Sequence, residues 1–227
     1  MGWLNAGVLA AVLAAGAAAT GFIRWSGLLA GSLLATILGA QAGLCGVGAL
    51  GALFFIGSIA TRWRLSRRGG EAHEARGAGH ALANAGPAAV LVLCCDGPLA
   101  SAVAIACLGG ALADTLASEL GMLAEEAPRL LLFGARVPRG TDGGMSWSGT
   151  AVSATVAAVA FCAAEFAGFP RDLAWMTAAG VFLAPVVDSV LGATLEAHLP
   201  RAWSNHLVNG LATGVAGGLV LWAGVPA

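Results

Sequence analysis

Two aspartates lie deep in long apolar runs of this sequence. Asp114 and Asp188 each come fifteen residues after their run begins, and both runs would cross a membrane in the same direction. At 1.5 Å per helical residue, that is about 22 Å into a hydrocarbon core of roughly 30 Å. Asn84 and Asn209 begin runs that leave from the same side, so these four polar side chains are predicted to meet in one layer.

An ionised carboxylate at that depth costs at least a few kcal/mol, and such residues usually face a polar cavity, a partner or a substrate. A functional site is favoured, although an aspartate–arginine pair or a capped helix end would also explain a single aspartate. Glu119 and Glu196 follow closer to the same side. Glu196 shares a helix face with Asp188, whereas Glu119 points away from Asp114. Because carboxylates bind hard cations, we predict a divalent-cation site formed by Asp114, Asp188 and Glu196.

The segment 128–150 combines arginines with a glycine-rich turn. It reads PRLLLFGARVPRGTDGGMSWSGT and carries Arg129 and Arg139. Such a turn can aim several N–H groups at an anion, and arginines add bidentate phosphate contacts. Glycine-rich surface turns are common, so the segment predicts a phosphate-binding loop only together with the aspartates. The residues of the turn are Gly140, Thr141, Asp142, Gly143 and Gly144.

A second basic segment, 62–76, contains five arginines. Taken alone, such a run more often sets membrane topology or contacts anionic lipid head groups. Beside the predicted phosphate-binding loop, it could also help to hold a second phosphate. We assign Arg62 and Arg64 to substrate binding on that basis.

The elements that position these residues follow from composition. Hydrophobic residues make up 58% of the chain and charged residues 10%, which excludes an ordinary water-soluble fold. Backbone groups in lipid must be hydrogen-bonded, and long apolar runs without alternation favour helices over a barrel. We predict an all-α, polytopic integral membrane protein with about seven or eight transmembrane helices, forming one domain over 1–227 with loops at 62–80 and 123–148.

Hydropathy divides the chain into eight apolar segments. The second and third almost touch and are rich in glycine, so one of them could be re-entrant. Ten of the eleven arginines fall in loops on one side, which places those loops in the cytoplasm of a cell-membrane protein. The segments are 4–22, 27–42, 44–61, 81–96, 98–122, 149–168, 173–198 and 206–224.

Two further features narrow the chemistry and the packing. The chain has no lysine, which excludes a Walker A site and a lysine Schiff base, and its cysteines show no zinc-ligand spacing. Glycines repeat every four residues at 27 and 31, at 39 and 43, and at 210, 214 and 218. We interpret these repeats as sites of close helix packing.

Several sequence blocks resemble a known membrane family. They are GSIATRWR at 57–64, ADTLASELG at 113–121, the 128–150 segment, DSVLGATLE at 188–196 and SNHLVN at 204–209. These blocks resemble the family long labelled as domain of unknown function number ninety-two, which includes the plant phytyl-phosphate kinase. The resemblance implies phosphoryl transfer from a nucleoside triphosphate, CTP in the plant case, to an isoprenoid monophosphate, giving a diphosphate.

The resemblance also implies roles for individual residues. Asp114, Asp188 and Arg139 would be catalytic, with Mg²⁺ as the cofactor. Substrate and nucleotide would be bound by Asn84, Glu119, Arg129, Gly140, Thr141, Gly143, Gly144, Asn205 and Asn209. The turn departs from the family at Asp142, where an asparagine is expected; we keep Asp142 as a binding residue, together with Arg62 and Arg64 from the basic segment.

The expected partners are CTP, an isoprenoid monophosphate such as phytyl or geranylgeranyl phosphate, and membrane lipid. No nucleic acid is expected, and a homo-oligomer is left open. Two other functions also fit the residues: a transporter or flippase of anionic lipids or phosphates, since paired intramembrane aspartates serve ion coupling, and a cytidylyltransferase acting on a lipid phosphate.

Overall fold

The chain folds into a bundle of helices, with a long connection, 122–146, between the fourth and fifth helices. The computed structural model describes residues 2–68, 76–195 and 198–224. Within these ranges there are seven α-helices, a short 3₁₀ turn and one small β-hairpin. The elements are α1 (Trp3–Ala19), α2 (Trp25–Arg68), α3 (Ala78–Leu91) continued by the 3₁₀ turn Val92–Cys94, α4 (Gly97–Gly121), β1 (Arg129–Leu130), β2 (Gly144–Met145), α5 (Trp147–Phe166), α6 (Arg171–Leu195) and α7 (Arg201–Gly224).

Helix α2 is folded back on itself at Gly43. That residue has φ 60° and ψ −144°, a conformation outside the helical region that glycine tolerates. A Cβ on Gly46 would lie 2.8 Å from the carbonyl oxygen of Leu38, eight residues earlier, which a straight helix would hold about 12 Å away. Gly27 and Gly57 both contact Arg76, which confirms that the two arms, 25–42 and 44–68, run side by side.

The sequence prediction for Gly43 was therefore wrong. We interpreted Gly39 and Gly43 as a helix-packing pair, but Gly43 is the turn between two arms. Ser101 of α4 donates a hydrogen bond to the carbonyl of Ala42 at this turn, over 3.1 Å. The two arms match the second and third apolar segments of the sequence, which gives eight helical segments over the described residues.

Helix α4 is the centre of the bundle. It packs against α2, α3, α5, α6 and α7. Its run from Ala102 to Leu108 is buried throughout and consists of small or aliphatic residues. A helix enclosed in this way can carry a carboxylate because that carboxylate faces protein instead of lipid.

Close contacts between small residues bring α4 and α6 together one turn before their aspartates. A Cβ on Gly110 would lie 2.6 Å from the Cβ of Ala184, so the two backbones approach as closely as glycine allows. Gly110 precedes Asp114 by four residues, and Ala184 precedes Asp188 by four. Since residues four apart share a helix face, this contact places the two aspartates beside each other.

The outer surface of the bundle is apolar, as a lipid-facing surface must be. Five helices are long and apolar enough to cross a membrane, and α1 and α3 are shorter apolar helices. All seven tryptophans are between 49% and 80% exposed, and they lie near helix ends. Tryptophan prefers the interface between lipid and water, so the helix ends mark the two membrane surfaces.

The predicted all-α membrane fold is confirmed, but one loop differs in extent. Helix α2 continues to Arg68 and α3 begins at Ala78, so both ends of the segment predicted as a loop over 62–80 are helical. The extension of α2 carries arginines, which are good helix formers and whose long side chains can reach the membrane surface. The predicted 123–148 loop contains the β-hairpin.

Candidate functional site

A cavity of about 480 Å³ opens at the end of the bundle where α4 and α6 finish and α3 and α7 begin. Its walls come from all seven helices and from the loop between α4 and α5. Many of the site residues predicted from the sequence line this cavity. They are Asn84, Asp114, Glu119, Arg139, Gly140, Thr141, Asp142, Gly143, Gly144, Asp188, Asn205 and Asn209.

The acidic centre of the cavity is formed by Asp114 of α4 and Asp188 of α6. The Oδ1 atom of Asp188 is buried and has no hydrogen-bond partner among the described residues. Asp188 also lies within electrostatic range of the carboxylates of Asp114 and Asp142. A buried carboxylate oxygen without a donor, beside two further negative charges, is an arrangement that a bound cation would stabilise.

The layer predicted from depth counting is present in the structure. Asn84, Asp114, Asp188 and Asn209 line a second, small cavity of about 10 Å³ between α3, α4, α6 and α7. This is close to the space that one water molecule needs. The four residues therefore meet between the two cavities, since they line both of them. The rest of the small cavity is lined mainly by alanine and glycine residues of α4, α6 and α7.

The glycine-rich turn is held on α6, next to Asp188. Gly140 and Gly143 have φ values of +80° and +74°, which side-chain-bearing residues rarely adopt. A Cβ on Gly143 would lie 2.6 Å from the carbonyl oxygen of Ser189, and a Cβ on Gly192 would lie 2.8 Å from the nitrogen of Gly143. Because Asp188 and Gly192 are four residues apart on one face of α6, this contact fixes the height of the turn above Asp188.

The hairpin and two internal hydrogen bonds shape this turn. Strands β1 and β2 pair Arg129 with Met145 and Leu130 with Gly144. Within the turn, the N–H of Thr141 donates to the carbonyl of Pro138, and the N–H of Gly144 donates to the carbonyl of Thr141. These two N–H groups are engaged, so an anion would be bound by the other N–H groups of the turn.

Arg139 lines the cavity and also closes its loop. Its Nε donates to the carbonyl of Glu126 over 3.3 Å, and one terminal nitrogen donates to the carbonyl of Glu125. Glu126 in turn accepts a 2.6 Å hydrogen bond from the N–H of Ser148, at the start of α5. Hydrogen bonds from the backbone and side chain of Ser148 lower the pKa of Glu126.

A second guanidinium reaches the cavity from Arg76, just before α3. Its backbone is held on both sides, since its N–H donates to the carbonyl of Phe22 and its carbonyl accepts from the N–H of Arg24. The side chain passes Gly57 and Thr115. Burial lowers the pKa of Arg76, and the nearby charge of Glu119 opposes that effect. Sequence reasoning placed Arg76 only among the basic-loop arginines and did not single it out.

Glu119 lines the cavity, but its carboxylate is already engaged. Its Oε1 accepts a 2.7 Å hydrogen bond from Thr61, and its Oε2 forms a 2.7 Å salt bridge with Nε of Arg64. Both partners lie on the second arm of α2, so this network joins α2 to α4 at the cavity wall. The geometry favours a structural role for Glu119 and Arg64 over the substrate contacts predicted for them.

Two further predicted site residues, Arg62 and Arg129, do not line the cavity. The guanidinium of Arg62 lies 3.6 Å from the centre of the Phe22 ring, in a cation–π contact outside the cavity. Arg129 is exposed and donates to the carbonyl of Gly134 within the hairpin. Glu196, predicted as a metal ligand, lies outside the described residues.

Two histidines next to the asparagines were not predicted as site residues. His80 lines the cavity, and its ring meets the ring of His206 edge to face, with centres 4.8 Å apart. The Nδ1 atom of His206 is buried without a hydrogen-bond partner in the described part of the chain. A sequence signal existed, because His80 and Asn84 are four residues apart and share one face of α3.

The described residues supply only part of the ligands that a magnesium ion needs, as is usual for Mg²⁺ in phosphate-binding sites. Nowhere in residues 2–68, 76–195 and 198–224 do three histidine, cysteine, aspartate or glutamate side chains come together as a metal site. Asp114 and Asp188 could supply two carboxylates. Mg²⁺ commonly takes one or two carboxylates and completes its shell with water and substrate phosphates, so this pair in an open cavity is compatible with it.

Comparison with known proteins identifies the family. Residues 8–221 match the family described as integral membrane protein DUF92. The chain belongs to this family. The match covers nearly all of the chain and confirms both the resemblance seen in the sequence blocks and the membrane-protein class deduced from composition. No curated protein and no solved structure matches the chain.

Proposed function

We propose that this protein is a magnesium-dependent kinase that transfers the terminal phosphoryl group of CTP to an isoprenoid monophosphate. The observation that carries the proposal is the single cavity of about 480 Å³. It joins two intramembrane aspartates, two guanidinium groups and a glycine-rich turn at one end to a region lined almost entirely by apolar residues at the other. An amphiphilic phosphate and a nucleotide need such a combination of surfaces.

In this proposal, the polar end of the cavity binds the phosphates. Arg76 and Arg139 neutralise phosphate charge, and the turn 140–144 supplies backbone N–H groups. Asp114 and Asp188 hold the cation. A bound Mg²⁺ ion would neutralise negative charge on the nucleotide phosphates and so favour attack by a second anion. Asn84, Asn205 and Asn209 supply amide groups that can donate to or accept from either substrate.

The proposed reaction needs no strong general base from the chain. An oxygen of the acceptor monophosphate bonds to the γ-phosphorus of CTP, and the bond from that phosphorus to the bridging oxygen breaks. The products are the isoprenoid diphosphate and CDP. A phosphate monoester is already largely ionised at neutral pH, so no proton has to be removed first. Positioning and charge neutralisation are then the main contributions of the protein.

The proposed site lies on the cytoplasmic side of a cell membrane. Ten of the eleven arginines lie in the connections and adjoining helix ends on the side of the bundle that carries the cavity, and arginine-rich segments of this kind stay in the cytoplasm. Nucleoside triphosphates are available in that compartment. This orientation agrees with the proposed use of CTP.

The direct test is a matrix of nucleotides and prenyl phosphates with purified protein in lipid nanodiscs and Mg²⁺. CTP with phytyl or geranylgeranyl phosphate should give the diphosphate and CDP. Asp114→Asn should lower kcat about 100-fold or more, since it removes a charge that holds the cation at the reacting phosphates. Asp96→Asn is the matched control, because Asp96 is exposed at the opposite end of α4.

The other outcomes of this experiment are equally informative. Release of pyrophosphate in place of CDP would identify a cytidylyltransferase. Movement of labelled lipid phosphate across vesicles without nucleotide consumption would identify a flippase or transporter. Full activity in Asp114→Asn would remove the acidic pair from the mechanism.

A further inference from the structure

The cavity has an apolar limb that extends away from the polar end, between α1 and the two arms of α2. It is walled by small and aliphatic residues of all three segments, together with phenylalanines of the second arm. Representative lining residues are Leu13, Ala14, Leu28, Ala35, Leu50 and Phe54.

The three walls run in register along the limb. On α1 the lining spans 10–17, on the first arm of α2 it spans 27–35, and on the second arm it spans 50–61. At 1.5 Å per residue these stretches are about 10, 12 and 16 Å long. The two α2 stretches reach Arg76 at the polar end through Gly27 and Gly57, so the limb leads inward from the proposed phosphate site.

The limb offers almost nothing but hydrocarbon to an occupant. No charged residue lines it beyond the polar end, in the part of the chain that the structure describes. Ser32 is the polar side chain within the limb, and its hydroxyl donates to the carbonyl of Leu28 over 2.8 Å. A phosphate or a nucleobase would lose its hydrogen bonds there, whereas an alkyl chain would lose none.

Two glycines keep the limb open. A Cβ on Gly31 would have nothing within 4 Å, and a Cβ on Gly51 would meet only the side chain of Leu13, at 3.3 Å. Both glycines line the cavity. Gly31 lies four residues from Gly27, and the sequence alone suggested that both pack against another helix. Gly27 does contact the carbonyl of Arg76, but Gly31 faces open space in the limb.

We propose that this limb binds the hydrocarbon tail of the acceptor and that the length of the limb selects acceptors by chain length. The inference rests on the proposed function, because that function supplies a phosphate with a tail. The tail leaves a bilayer that is as apolar as the limb, so burial of hydrophobic area contributes little to selection. Shape decides instead: a tail that fits is accepted, and one that overfills the limb is excluded.

Gly31→Leu tests this directly, because the new side chain enters the limb without meeting the backbone. Binding of dimethylallyl and geranylgeranyl phosphate is measured by native mass spectrometry in the absence of nucleotide. We expect geranylgeranyl phosphate to bind about tenfold more weakly or worse, whereas dimethylallyl phosphate, whose short tail ends near Gly31, should change less than about twofold. Gly48→Leu is the matched control, since Gly48 is exposed on the second arm of α2 and also has open space around it.

The results separate this inference from the proposed function. Equal weakening of both lengths, or no weakening of the longer one, would overturn the role of the limb. Gly31→Ala provides a smaller change in the same space if the leucine variant does not fold. Because binding is measured without nucleotide, a length-selective loss would support the limb even if no phosphoryl transfer occurred, whereas transfer without length selection would support only the kinase.

Discussion

The contact between Gly192 and Gly143 sets how closely the glycine-rich turn approaches Asp188, and Gly192→Ala perturbs it with one methyl group. The new Cβ would lie 2.8 Å from the nitrogen of Gly143 and 3.2 Å from its Cα. An ordinary contact between these atoms needs at least 3.4 Å, so the turn must move away from α6 by about 0.6 Å. Misplacement of catalytic groups by about 1 Å can cost about 100-fold in rate. We therefore expect kcat to fall about 10- to 100-fold.

Stability should respond differently from activity. Replacing a helical glycine by alanine gains about 0.8–1.0 kcal/mol in helix propensity, which offsets part of an overpacking cost of about 1–3 kcal/mol. The midpoint of thermal unfolding should thus change by only a few degrees. The assay is CDP formation at saturating substrates beside thermal unfolding in detergent. Gly48→Ala makes the same change where a Cβ meets nothing within 4 Å and should keep full activity.

The reasoning would be refuted by a folded Gly192→Ala protein with the same kcat as Gly48→Ala. That result would mean that the turn either moves freely or takes no part in the reaction. A fall in kcat with an unchanged KM for the acceptor would instead point to the position of the nucleotide phosphates above Asp188. Loss of folding in Gly192→Ala alone would show that the contact is needed for assembly, in conflict with the small stability change expected here.

Two further predictions follow from the polar contacts around the cavity. Glu119→Gln removes the charge that pairs with the half-buried Arg64, so the midpoint of thermal unfolding should fall by several degrees. The kcat of the folded protein should stay near that of wild type. A large loss of kcat at unchanged stability would show that Glu119 contacts substrate. The lowered pKa of Glu126 means that its hydrogen bonds with Ser148 stabilise the fold above the ordinary glutamate pKa, and that this contribution is lost as pH falls through the lowered value. The difference in unfolding temperature between wild type and Glu126→Gln should accordingly be present at pH 7 and shrink as the pH falls below the ordinary glutamate pKa. A difference independent of pH would contradict this account.

Depth in the membrane could be predicted from the sequence because a helix advances by a fixed rise per residue. Counting along apolar runs placed Asp114, Asp188, Asn84 and Asn209 in one layer, and the structure brings them to one small cavity. The contact of Gly110 with Ala184 explains why the count succeeded for α4 and α6. Their aspartates follow the same close contact at the same spacing.

Rotation about the helix axis and pairing between segments could not be predicted in the same way. Five arginines in 62–76 are alike in sequence, and only the packing of the α2 arms brings Arg76 rather than Arg62 to the cavity. The partners of Glu119 could not be predicted, because Thr61 and Arg64 lie more than fifty residues away in the chain. Without those partners, Glu119 was assigned to substrate binding. Gly43 looked like a packing residue because a turn and a tight contact both favour glycine.

The central position of α4 has a consequence for how the protein is made. Ribosomes deliver α4 before α5, α6 and α7, so the helix enters the membrane while three of its five neighbours do not yet exist. During that interval Asp114 cannot face Asp188, and the small residues of α4 have only α2 and α3 to contact. A chain cut after α4 would therefore be a target for quality-control proteases. The second half of the protein, supplied as a separate chain, should rescue it by assembling around α4 in the bilayer.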